Sequence, residues 1–159
     1  MQNQLITEAL IEVLKQERML LAKLNSDLYT SPGEGPFRSS IGAHIRHNLD
    51  HFTSFFAGLP DARIDYEQRR RDDGIARSPE QALADIERQI DALVSLSQNE
   101  PDESLRVREE SDSAAAGELR WLDSSVGREL QFLLGHTVHH HAIIALLLAQ
   151  RGVDLPIGF

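Results

Sequence analysis

The chain has 159 residues, 41% hydrophobic and 26% charged, with a formal net charge of −9 and no cysteine. That length and balance fit one globular domain spanning residues 1–159, with a core that needs no covalent staples. The missing cysteine excludes disulfides, a thiolate zinc site and a cysteine nucleophile, and the acidic balance argues against nucleic acid, whose phosphates it would repel. The one dense basic run, at 69–71, is followed at once by Asp72 and Asp73. The opening residues lack the basic region and apolar core of a signal peptide, and no apolar run approaches the roughly 20 residues that cross a bilayer. A cytoplasmic protein with no membrane partner is expected.

Four helical segments are predicted. In the first, residues 3–29, Leu10, Leu14, Leu21, Leu24 and Leu28 recur at helical spacing, and Pro32, Gly33, Gly35 and Pro36 end it. The second starts at Ser39 or Ser40 as N-cap and runs to Gly58 and Pro60, with Ile41, Ile45, Leu49, Phe52 and Phe56 in one stripe. In the third, Ser78 is the N-cap, Pro79 the first helical residue and Gln81 the closing residue of a capping box. Its core face is Leu83, Ile86, Ile90, Leu93 and Leu96. The fourth runs from about Ser125 to Gly152 and is apolar on nearly every side, which marks a buried helix. The fold class is therefore all-α, a four-helix bundle with long connections at 61–77 and 98–124. The second of these carries Leu105, Val107, Leu119 and Trp121 around a small-residue run at 114–117, a pattern for a two-stranded β-ribbon; an extra short helix is the other form such a connection takes.

All seven histidines fall in two runs: His44, His47 and His51 on the second helix, and His136, His139, His140 and His141 on the fourth. Neutral imidazole is the commonest metal ligand, and residues three or four apart share a helix face. His136 and His140 stand about 40° apart around the axis and can reach one ion. A single buried His is more often a hydrogen-bonded core residue, but several imidazoles on an apolar helix are costly to bury without a shared partner. His141 faces away from the pair and is not expected to be a ligand. His139 lies beside the pair, as an outer or substrate-facing group. On the second helix the hydrophobic stripe ranks His44 nearest the core and His47 furthest, and spacing alone does not choose among the three. The sequence has no H-E-x-x-H, no Glu-x-x-His on a helix and no glycine-rich phosphate loop, which disfavours a zincin, a carboxylate-bridged di-iron bundle and a nucleotide-binding protein.

The segment Ser40-Ile41-Gly42-Ala43-His44-Ile45-Arg46-His47, followed far downstream by His136, His139 and His140, resembles the DinB/YfiT-like superfamily of metal-binding four-helix bundles. Asp65-Tyr66-Glu67-Gln68-Arg69 and Gly127-Arg128-Glu129-Leu130 resemble one branch of it. The resemblance implies a divalent metal, zinc or nickel, held by one His of the second helix and an H-x-x-x-H pair of the fourth. Carried onto this chain, the ligands are His47, His136 and His140, a choice that departs from the stripe ranking. His44, His139, Glu129 and Arg46 are then the outer or substrate-facing candidates. The resemblance also implies a transferase using a low-molecular-weight thiol, or a hydrolase, acting on a small electrophile. The alternative is a non-enzymatic metal-binding or stress-related module. A pocket roofed by the two long connections is expected, with Tyr66, Arg46 or Trp121 lining it. The resemblance also implies a homodimer, for which Phe52, Phe55 and Phe56 offer more aromatic surface than one stripe needs; the alternative is that all three rings fill the core of a monomer.

Overall fold

The structure is a computed structural model and describes residues 2–33, 38–67, 73–99, 103–108, 121–155 and 159. Four long helices form the bundle: α1 (Gln2–Leu21), α3 (Ile41–Gly58), α5 (Pro79–Asn99) and α6 (Val126–Ala149). Two short ones, α2 (Ser26–Thr30) and α4 (Asp73–Arg77), sit in the connections. α1 packs on α5 and α6, and α3 also packs on α5 and α6. The helices thus close a ring in which α1 and α3 stand across the diagonal. Leu10, Leu14, Ile45, Leu49, Phe52, Ile86, Leu93, Leu133, Ile144 and Leu148 fill the ring's interior.

Local capping explains most helix starts. Ser40 accepts the N–H of Ala43 at 3.1 Å, and Ser125 caps α6 through the N–H of Arg128 at 3.3 Å. Ser78 accepts the N–H of Gln81 at 3.2 Å, but the capping box stays half-formed. Its backbone N–H donates to the carbonyl of Gly74, and its hydroxyl donates to Glu80. The first segment is not one helix over 3–29. The chain turns after Leu21 and restarts at α2, where Asn25 accepts the N–H of Leu28 at 2.8 Å. The leucine period runs through this turn because Leu24 and Leu28 still point inward.

The ribbon is present, with one more strand than expected and a shifted register. β2 (Ser104–Arg108) pairs antiparallel with β3 (Leu122–Ser125), Val107 opposite Leu122 and Ser104 opposite Ser125. The second strand therefore begins at residue 122, while the 114–117 run and Leu119 lie outside the described residues. β1 (Arg63–Asp65), from the other long connection, adds a parallel strand to β2. Ile64, Leu105 and Val107 are buried, so one face of this small sheet covers the core.

One further expectation needs correction. By length and composition Val126–Ala149 is long and apolar enough to cross a membrane. Here it packs on both α1 and α3, and it buries Glu129, Thr137, His140 and His141. Phe52 and Phe55 are fully buried and Phe56 is partly buried against the core, so these rings pack mainly within the chain.

Candidate metal centre

α3 and α6 meet along their histidines. The ring of His47 lies 5.1 Å from that of His136 and 4.9 Å from that of His140, between centroids. His136 and His140 are 4.5 Å apart. One nitrogen from each of His47, His136 and His140 lies within 4.8 Å of the others. Nitrogens sharing a tetrahedral ion, at about 2.1 Å each, stand about 3.4 Å apart, so modest side-chain rotation brings the three into range. The donor set suits the group: three neutral nitrogens fit zinc, nickel or ferrous iron, and calcium or magnesium poorly. The three-histidine group can hold a metal.

The stripe ranking that set His44 nearest the core does not hold, because His51 is the buried one of the three. All three α3 histidines face α6: His44 lies 5.4 Å from His140 and His51 4.1 Å from His136, ring to ring. Leucine and phenylalanine define where apolar packing lies, and α3 has a second inward face that packs imidazole on imidazole.

Neighbours hold these rings in place. The Nδ1 atoms of His44 and His140 are 3.2 Å apart, one donating and the other accepting. The Nδ1 of His51 is 2.8 Å from the carbonyl of His47, and since a carbonyl only accepts, this nitrogen carries the hydrogen. Burial, then the nearby rings of His136, His47, His44 and His139, push the pKa of His140 down to about 2. Burial, then His139, lowers that of His44. Both imidazoles are therefore neutral at pH 7, the form that binds a metal.

The outer candidates separate. His139 is exposed at the edge of the cluster, its ring 5.4 Å from His140. Glu129 is fully buried and accepts from Tyr66 at 3.0 Å, from Arg128 at 2.9 Å and from Ser124. It reaches the cluster indirectly, because the Tyr66 ring sits 5.5 Å from His51. Arg46 pairs with buried Asp50 at 2.8 Å along its own helix, as a bracing residue. Trp121 lies under the guanidinium of Arg63, on the sheet. Phe132, which stacks on His136 at 5.5 Å, completes the wall.

A family model described as the DinB superfamily matches residues 9–144. The chain belongs to the DinB superfamily. No curated protein and no solved structure matches it. The helical order and the three-histidine group agree with membership of the DinB superfamily.

His141 does face away from the pair, as expected, but it is buried against Glu17 with Nε2 and Oε2 2.9 Å apart. Sequence reasoning missed Glu17. A signal existed: within the leucine repeat of 10, 14, 21 and 24, Glu17 occupies a core position.

Proposed function

We propose that His47, His136 and His140 hold a divalent zinc or nickel ion, and that this DinB superfamily protein is a metal-dependent enzyme. It transfers a low-molecular-weight thiol to a small electrophile, or hydrolyses one. The observation carrying this reading is the convergence of three imidazole nitrogens from two helices, with no fourth ligand required of the protein. Three-ligand sites keep a position for substrate, whereas structural sites are closed. The ion supplies Lewis acidity and depresses the pKa of a bound water or thiol. In the transferase reading the thiol comes from the cosubstrate, consistent with a chain that has no cysteine. His44 steadies the ring of His140 through their shared hydrogen. The hydrogen bond from His51 to the carbonyl of His47 fixes the tautomer of His51 beside His136. His139, exposed at the edge of the cluster, would accept a proton from an entering substrate.

The crowding of His44 and His51 against the same group favours a second reading, in which further imidazoles close the shell and the protein only binds metal. Two measurements separate the readings. Metal analysis of tag-free protein should find about one equivalent in the wild type and a small fraction of that in His47→Ala, His136→Ala and His140→Ala. His139→Ala should keep its metal. Loaded protein is then screened with small thiols against model electrophiles, and with simple esters and amides. Turnover that disappears in His140→Ala supports the enzyme. Full metal content in a His136→Ala/His140→Ala double variant removes the site altogether.

A further inference from the structure

Each of the three histidines of the candidate centre is followed in sequence by a member of a separate, buried polar network. His47 precedes Asn48, His136 precedes Thr137 and His140 precedes His141. Asn48 and His141 meet behind the site on Glu17 of α1, and Thr137 joins them through Asn48. Glu17 Oε2 lies 2.9 Å from His141 Nε2 and accepts from Asn48 Nδ2 at 3.3 Å. The hydroxyl of Thr137 lies 3.0 Å from Asn48 Oδ1 and 2.8 Å from the carbonyl of Leu133, its single hydrogen shared between these two acceptors. Glu17 and Thr137 are fully buried, Asn48 is 1% exposed and His141 6%. The network thus ties α1, α3 and α6 together through the middle of the bundle and links the diagonal pair α1 and α3.

Stability alone does not account for it. A buried ionisable pair rarely outperforms well-packed apolar side chains of the same volume, because desolvation offsets the attraction. A polar network differs from apolar packing in being directional: its bonds form in one helix register and fail in the next. A three-ligand site split between two helices needs that register. Side-chain rotation can bring the three nitrogens onto one ion only while α3 and α6 keep this register, and productive geometry tolerates errors of only about 0.5 Å.

We infer that Glu17, Asn48, Thr137 and His141 form a positioning network that sets the register of α3 against α6 and so presets the nitrogens of His47, His136 and His140 for metal. Glu17 is the hub, although it lies on a helix that contributes no histidine. The inference rests on the metal-centre reading above. It adds that metal affinity is set in part by residues that touch neither metal nor substrate.

The test compares the full-length wild type with Glu17→Gln and Thr137→Val, each of which keeps side-chain shape while removing a charge or a hydrogen bond. Leu93→Ala, a fully buried α5 residue outside the network, is the control for general destabilisation. Zinc affinity is measured by competition with a chromophoric chelator, and cobalt(II) is substituted to read the ligand field from its visible spectrum. Glu17→Gln and Thr137→Val should bind zinc about tenfold or more weakly, the size expected when groups that orient ligands are lost. Their cobalt spectra should shift. Leu93→Ala should unfold at lower temperature yet keep wild-type affinity and spectrum. Thr137→Val removes a single hydroxyl and carries the test if Glu17→Gln does not fold. Wild-type affinity and spectrum in folded network variants would overturn the inference and leave the metal centre standing. If His140→Ala, run in parallel, binds zinc like wild type, the metal centre falls and this inference falls with it.

Discussion

Imidazole chemistry at His140 and His141 diverges because adjacent residues on a helix point about 100° apart. One ring enters a cluster of its own kind, and the other meets a carboxylate. For His141 the consequence is energetic. His141→Ala leaves the buried Glu17 carboxyl without its ring partner, and an unmet buried polar group costs about 1–3 kcal/mol. Chemical denaturation should show a lower midpoint with a similar slope, and a midpoint within error of wild type would contradict the pairing. For His140 the consequence is a pH dependence. Its unfolded imidazole titrates near 6.5 and its folded one near 2, so between those values the unfolded state holds the extra proton. Stability of the metal-free protein is therefore fully present above 6.5 and lost progressively as pH falls towards 2. Thermal melts of chelator-treated protein at pH 7.5, 6.5 and 5.5 should show falling midpoints, and the loss should be smaller in His140→Ala.

Among the elements, those legible in the sequence were those whose causes are local. Ser40, Ser78 and Ser125 cap helices with their own side chains, so three helix starts could be read from a few neighbouring residues. The break at Asn25 was hidden because Leu24 and Leu28 continue the apolar spacing across a non-helical turn. β1 has only three residues and exists because β2 offers it a partner some forty positions away, a cause no local window contains. The histidine pair of α6 could be read from spacing, but the orientation of α3 could not. The family pattern supplied His47, while amphipathicity pointed to His44. Close approach of elements leaves a subtler trace. A Cβ on Gly42 would lie 2.2 Å from the carbonyl oxygen of Ala76 and 2.5 Å from the Tyr29 ring, because α4 and α2 press on the start of α3 there. Gly42→Ala should destabilise by about 1–3 kcal/mol despite its better helix propensity. Calorimetry of that variant at neutral pH checks the sign, and a stabilised protein would show that the packing yields.

At the scale of the molecule, the proposed metal centre would link metal and fold thermodynamically. An ion that binds only the folded chain stabilises it by about 2.7 kcal/mol at a hundred times its dissociation constant. Under the proposed reading, zinc should raise the melting temperature of the wild type and leave that of His140→Ala unchanged. The ring of four helices makes this coupling long-range. His47 lies roughly ninety residues before His136 along the chain, and an ion between them closes a loop of that length. Proteins use a disulfide for such a tie, and this chain has no thiol with which to make one. Under the proposed reading, an ion in the histidine cluster would give the fold an equivalent clasp that opens with a chelator and needs no reductant. Resistance to proteolysis would then follow the supply of metal around the protein, independently of the redox state of its surroundings.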